Sequence, residues 1–214
     1  MDKESGKKIT EEFVRDFLFG ETSGHDWHHI DRVRKMAIKI GSEERADLFI
    51  VEMSALLHDI ADRKIHKDDE EAGLKIVNEW LDRINIAGEE KEHIIEIIET
   101  LSFKGANVRT DMRTIEGKVV QDADRLDAIG AIGIARAFAY GGSRGRLLYD
   151  PQIKPEKHVD YEDYKNSHGT TINHFYEKLL LLKDRMNTET AKKIALHRHK
   201  FMEKYLEEFY IEWE

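Results

Sequence analysis

Apolar residues recur at helical spacing along almost the whole chain. Phe13 and Phe17 stripe a first helix over about 9–19. Ile30, Val33, Ala37 and Ile40 mark one face of a second, about 26–42. The third, about 44–61, reads ERADLFIVEMSALLHDIA and is apolar nearly all round, which predicts a central helix. Leu74, Val77, Leu81 and Ile84 stripe a fourth over about 68–87, with Asp68 as its N-cap. The isoleucines of 94–98 and Leu101 define a fifth over about 89–101. A sixth, about 114–140, contains DADRLDAIGAIGIARAFAY. Its Ala128, Gly130, Ala131 and Gly133 predict close helix contacts, because each interior Gly otherwise costs about 1 kcal/mol.

The periodicity stops after Tyr140. Gly141, Gly142 and Gly145, then Pro151 and Pro155, predict a loop over 141–168. Its length leaves two readings open, a lid over a site or a surface excursion. Two helices follow, about 170–186 and 188–212, the second capped by Thr188. No stretch alternates as a strand does, and no repeat or linker is visible. The pattern predicts an all-α fold in a single domain spanning 1–214, with a core at about 22–140 and C-terminal helices over 170–212.

Composition narrows the chemistry. The 214 residues include no cysteine, so any metal must be held by nitrogen or oxygen. Lys and Arg number 34 against 43 Asp and Glu, a net charge of −9, which argues against a nucleic-acid polymer as partner. A small phosphorylated molecule can still be bound in a local cationic pocket. The N-terminal MDKESGKKIT has no signal-peptide core and no apolar run reaches membrane length, so the expectation is a cytoplasmic protein with no membrane partner. Exposed apolar faces on the two terminal helices would allow a homodimer.

The informative residues are histidines and carboxylates on the central helices. One cluster is His25-Asp26-Trp27-His28-His29. A second is His58-Asp59, placed directly after the most apolar helix. A carboxylate there must be paired or bound to metal, unless the helix end is exposed and the histidine merely complements its dipole. The third is Asp122-Ala123-Asp124-Arg125-Leu126-Asp127. Two imidazoles and two carboxylates suit Mn, Fe, Co, Ni or Mg, and such an ion acidifies water and polarises a phosphoryl oxygen. Spacing alone does not bring the three clusters together.

The order H…HD…D, as DWHHIDRV, LLHDIAD and VVQDADRLDA, resembles the HD-domain metal-dependent phosphohydrolases. The stretches IIETLSFKG, VQDADRLDAIGAIGIARAF, HFYEKLLLLKDRMNT and HRHKFMEKYLEEF extend the resemblance to a bacterial nucleotide pyrophosphohydrolase branch, over most of 22–212. The resemblance implies a single-domain helical bundle and one divalent metal, Mn as the expected ion, with Fe, Ni, Co or Mg as alternatives. It implies His29, His58, Asp59 and Asp124 as ligands. Asp122 competes with Asp124. The two lie about 200° apart on a helix, so one of them faces the ion. Asp122 and Asp127 are then expected to pair with Arg32, Arg125 or a helix end.

Asp62 stands four residues after His58, on the same face if the helix continues, and the resemblance gives it the role of orienting water or moving a proton. Arg63, His66 and Lys104 are candidate phosphate contacts. His25 is a candidate for contacting phosphate or for orienting a ligand. His93 completes one E-x-x-H with Glu90, half of a diiron pattern that has no second copy, and His197 and His199 read as a solvated face. Leu101 stands where relatives often carry a further His, which argues against a second metal.

The implied reaction is attack at the α-phosphorus of a (deoxy)nucleoside triphosphate with release of pyrophosphate. Triphosphohydrolysis, 5′-nucleotidase action and phosphodiester cleavage are the alternatives within the fold. A metal- or nucleotide-binding regulator without turnover is the alternative of another class, and an intact H…HD…D set with Asp62 argues against it.

Overall fold

A computed structural model describes residues 2–20, 24–62, 66, 70–101, 112–156 and 169–214. Among the described residues the architecture is all-α, with no strand. The helices are α1 (Lys3–Phe17), α2 (Trp27–Glu44), α3 (Leu48–Leu57), α4 (Glu70–Arg83), α5 (Gly88–Leu101), α6 (Ile115–Asp127), α7 (Gly130–Ser143), α8 (Thr171–Glu177) and α9 (Glu189–Trp213). Tight 3₁₀ turns follow α3 (His58–Ala61) and α8 (Leu179–Arg185). No helix among the described residues is long and apolar enough to cross a membrane. The described residues fall into two compact units, 2–101 with 112–123 and 124–214, and the boundary lies within α6.

In the first unit α3 is the centre. Nine of its ten residues are buried, and it packs against α1, α2 and α5. A buried Val, Leu, Ile or Met contributes about 1.5–3 kcal/mol, so this helix anchors the unit. Asp47 starts it by accepting from the amides of Phe49 and Ile50 at 2.8 and 3.3 Å. A carboxylate on α3, Glu52, is buried as an ion pair, with Lys7 Nζ of α1 and Arg34 Nε of α2 each at 3.1 Å. The first helix begins at Lys3 rather than about residue 9, capped by Asp2. Its buried stripe is Gly6, Thr10 and Val14, of which only Val14 is strongly apolar, so periodicity did not show it. Phe13 stacks on Trp80 at 3.9 Å, and Trp80 Nε1 donates to Thr10 Oγ1 at 2.9 Å. The fourth helix ends at Arg83, with Asn85 in the left-handed region at φ 60°. Asp68, its expected cap, lies outside the described residues.

The single helix expected over 114–140 is two helices. Ile129 is extended (φ −126°, ψ 163°) and Gly130 takes φ 79°, so the chain turns between α6 and α7. A Cβ at Gly133 would collide with the Ala128 carbonyl, which is why this tight turn carries glycine. The small residues therefore serve the break, while Gly130 also lies against Arg198 of α9.

In the second unit the helix expected over 170–186 is also divided. Lys178 breaks it (φ −140°, ψ −58°), and a 3₁₀ turn continues with Leu179 and Leu182 buried three residues apart. That spacing matches three residues per turn. Thr188 caps α9 as expected, accepting from the Ala191 amide at 3.2 Å. The buried stripe of α9 is Ala191, Ala195, His199, Met202 and Leu206. His199 is thus a buried residue, 3.3 Å from Glu203, and not part of a solvated face; His197 is exposed. Leu196, Phe201, Ile211 and Trp213 of the same helix are exposed.

Of the loop expected over 141–168, α7 takes up the residues to Ser143. The stretch before Glu156 is tied to α8. Leu147 and Leu148 carbonyls accept from the Thr171 and Ile172 amides at 3.0 Å, and Asn173 Nδ2 donates to the Ile153 carbonyl at 3.0 Å. Residues 157–168 lie outside the described residues.

Candidate metal centre

The α-helix does not continue through His58-Asp59. It tightens into the 3₁₀ turn His58–Ala61, and both side chains remain buried at its start. Two features hold this turn. Gly73 of α4 backs against it so closely that a Cβ there would lie 2.6 Å from Ala61 Cα. His66 Nε2 donates to the Ile60 carbonyl at 2.6 Å, taking the place of a helical amide. Asp62 then leaves the turn in an extended conformation (φ −67°, ψ 123°), with its amide donating to the Asp59 carbonyl at 3.0 Å. The expectation that Asp62 shares a helix face with His58 is corrected accordingly. Asp62 is half-buried and follows Asp59 by one tight turn.

The partner cluster comes from the start of α2. Asp26 caps this helix and accepts from the His29 amide at 2.8 Å, which puts His29 in the first turn, buried. Three imidazoles then surround Asp59. His25 Nδ1 lies 2.9 Å from Asp59 Oδ2, His29 Nε2 3.4 Å from the same oxygen, and His58 Nε2 3.3 Å from Oδ1. The rings of His29 and His58 meet edge to face, with centroids 5.5 Å apart. The ligand atoms of His25, His29 and Asp59 all lie within 4.8 Å of one another. Burial pushes the Asp59 carboxyl up. The imidazoles of His58, His25 and His29 together outweigh that effect and hold it well below the ordinary carboxylate value.

These residues fit a divalent ion. His58 Nδ1 lies 2.8 Å from the Ala55 carbonyl, which can only accept, so the proton sits on Nδ1. The other nitrogen, Nε2, is buried and has no hydrogen-bond partner among the described residues. Asp59 Oδ1 stands 3.3 Å from this nitrogen, a spacing at which the two could share one cation. A carbonyl that fixes the tautomer while the opposite nitrogen ligates is a recurrent feature of metal-bound histidine. The all-nitrogen and oxygen donor set excludes a thiolate site and suits first-row divalent ions or Mg.

This chain matches the HD domain family over residues 26–129. It is 43% identical over 191 residues to Bacillus subtilis YpgQ, which covers 89% of this chain and 85% of that protein. The chain belongs to the HD-domain family. It is an HD-type metal-dependent phosphohydrolase. The fold resembles that of an HD-superfamily hydrolase from Bacillus thuringiensis with a TM-score of 0.79 at 48% identity, covering 99% of this chain and 98% of the other. The crystal structure of B. subtilis YpgQ in complex with ADP is similar with a TM-score of 0.77 at 39% identity, covering 98% and 95%.

The remaining HD-family expectations fall as follows. Asp124 is on the last turn of α6, half-buried and counted with the second unit, while Asp122 on the same helix is wholly buried. Asp127 pairs with Arg136 at 2.5 Å, because the turn after α6 brings the first turns of α7 back beside it. Arg125 donates to the Arg185 carbonyl. Arg63 and Lys104 lie outside the described residues. His66 is half-buried with Nε2 committed to Ile60, so a phosphate contact would fall to Nδ1. His93 is a half-buried helix residue whose Nε2 lies 2.9 Å from Thr114 Oγ1. The engagement of His25 with Asp59 was legible only as one of two roles. The Glu52 ion pairs carried no motif at all, since Lys7, Arg34 and Glu52 are far apart in sequence.

Proposed function

We propose that this chain hydrolyses a (deoxy)nucleoside triphosphate at the α-phosphorus and releases pyrophosphate, using one divalent ion, Mn²⁺ by preference. The observation that supports it most is the ADP complex of YpgQ, a relative whose fold matches this chain nearly from end to end. In this reading His29, His58, Asp59 and Asp124 hold the ion. The first three are gathered at the junction of α2 and the HD turn, and Asp124 is assigned from its place in the DAD motif. The ion supplies Lewis-acid activation of water and of the phosphoryl group.

The protein's own groups supply the rest. His58, oriented by the Nδ1 bond to the Ala55 carbonyl, would offer Nε2 to the ion. Asp59, held ionised by its imidazole neighbours, contributes charge without needing to lose a proton first. Asp62, tied to the end of the turn through its amide, orients water or carries its proton. Arg63, His66 and Lys104 contact phosphate oxygens, with His66 doing so through Nδ1.

The test is product analysis. Nucleoside triphosphates are incubated with and without Mn²⁺ and the products resolved by phosphorus NMR. The proposal expects Mn²⁺-dependent appearance of nucleoside monophosphate with pyrophosphate. Triphosphate as product would reassign the bond cleaved, orthophosphate would point to nucleotidase action, and binding without turnover would make the protein a regulator.

A further inference from the structure

The sequence leaves His25 between two roles, phosphate contact and orientation of a ligand. Its surroundings decide the matter. Gly24 takes φ 95°, a left-handed turn that L side chains rarely adopt, just before Asp26 caps α2. The turn and the cap together fix the backbone on both sides of His25. Its side chain is mostly buried, 17% exposed, with Nδ1 2.9 Å from Asp59 Oδ2. An ionised carboxylate only accepts, so the proton of that hydrogen bond belongs to His25 Nδ1. The two oxygens of Asp59 then have different neighbours. Oδ2 accepts from His25 and lies 3.4 Å from His29 Nε2, and Oδ1 stands 3.3 Å from the unpartnered Nε2 of His58.

We infer that His25 is a positioning residue for the metal centre. Its Nδ1–H holds Oδ2 of Asp59 and so fixes the orientation in which the carboxylate faces His29 Nε2 and His58 Nε2. This rests on the reading that Asp59 is a metal ligand. A carboxylate free to rotate about its terminal torsion has a broad, roughly two-fold preference, so a donor fixed on one oxygen sets how the group is presented. Outer-sphere partners of this kind typically change metal affinity by about 10- to 100-fold. The same 2.9 Å contact would also suit His25 as a ligand through an unprotonated Nδ1, and the two roles make opposite predictions for one substitution. Asparagine places an amide N–H close to where histidine Nδ1 lies, yet it is a poor ligand for a divalent ion.

The experiment compares wild type, His25→Ala, His25→Asn and Asp59→Ala by calorimetric titration with Mn²⁺. Circular dichroism establishes that each variant is helical. The expected result is a Mn²⁺ affinity about 10- to 100-fold weaker in His25→Ala and restored to within a few-fold in His25→Asn. Equal losses in both variants would make His25 a ligand and overturn the inference. Unchanged affinity in His25→Ala, with a raised KM, would make it a substrate contact and overturn it equally. If His25→Ala fails to fold, His25→Asn alone decides, because wild-type affinity there requires that Nδ1 acts as a donor. Asp59→Ala separates the inference from its premise. Wild-type Mn²⁺ binding in that variant removes Asp59 from the ligand set, whereas its loss beside intact binding in His25→Ala refutes the role of His25 alone.

Discussion

His58 donates its Nδ1 proton to the carbonyl oxygen of Ala55, 2.8 Å away and three residues earlier on α3. This one bond ties the chemistry of the site to the most buried helix of the protein. α3 cannot shift without moving the imidazole, and the imidazole cannot flip without stranding a buried carbonyl. In the proposed site the nitrogen offered to the ion is therefore selected by the fold.

His58→Ala and Asp59→Ala are each expected to abolish Mn²⁺-dependent hydrolysis while far-UV circular dichroism stays helical. The stability consequences differ. His58→Ala leaves the Ala55 carbonyl without its donor and costs about 1–3 kcal/mol. Asp59→Ala removes a carboxylate held ionised beside three imidazoles, a contribution that is present above the ordinary carboxylate value and lost as pH falls through its lowered one. Turnover at the wild-type rate in either variant, with metal content measured, would remove that residue from the ligand set.

Metal removal should lower stability as well as activity. An ion that binds the folded state alone adds about 2.7 kcal/mol when present at 100 times its Kd. For a chain of this size that is roughly 2–4 °C in Tm per kcal/mol. Thermal denaturation in EDTA and in excess Mn²⁺ measures it, and coincident curves would show that no ion is held by the folded protein.

How much of this could be read beforehand differs from residue to residue. His58 and Asp59 were legible because they adjoin in sequence and follow an apolar run that the structure buries almost entirely. The character of the turn that carries them was not. A 3₁₀ turn and an α-helix share the same local composition, and the choice is made by Gly73 and His66, which reach it from a later segment. The division between α6 and α7 was hidden for a related reason. Ala, Gly and Ile maintain apolar periodicity through the break, and the positive φ of Gly130 leaves no mark on it. His199 was misread because the stripe beneath it is built from Ala191 and Ala195, which a hydrophobic count scarcely registers. The pairing of Asp127 with Arg136 depends on that same unseen turn.

Asp124→Asn is expected to weaken Mn²⁺ binding much more than Asp122→Asn. Asp122 is wholly buried, so its substitution should appear chiefly as lost stability, through disturbance of buried polar contacts. Asp124 is half-buried. Calorimetric titration reads affinity, and thermal denaturation of the metal-free proteins reads stability. Equal affinity losses, or a larger loss for Asp122, would exchange the two assignments.

Asp62→Asn should leave metal binding intact and lower kcat and kcat/KM together, by about 100- to 10,000-fold. The extended backbone at Asp62 no longer supports a shared helix face with His58. Its amide, however, still ties it to the Asp59 carbonyl at the end of the turn. Asparagine keeps the shape and removes the ionisable group. Steady-state kinetics at saturating Mn²⁺ decides, and an enzyme retaining most of its kcat would leave Asp62 as a structural end to the turn.

Gly73→Ala tests whether the scaffold behind the metal turn matters to the chemistry. A Cβ at this position would lie 2.6 Å from Ala61 Cα and 2.9 Å from His66 Cδ2. The first is backbone and cannot step aside, so either α4 backs away or the turn deforms. Overpacking of this kind costs about 1–3 kcal/mol. The loss should not stop at stability, because the turn pressed by the new methyl carries Asp59 and the Ile60 carbonyl that His66 holds. The expected outcome is a lower Tm together with weaker Mn²⁺ affinity, although no ligand has been altered. Gly41→Ala serves as the control. Its nearest contact is the flexible Leu48 Cδ2 at 3.1 Å, on the opposite end of α3 from the metal turn. It should lower Tm while leaving affinity for the ion at the wild-type value. If Gly73→Ala lost stability with wild-type Mn²⁺ affinity, the turn would tolerate displacement of its backing, and the geometry of the site would have to be set by α2 and α3 alone.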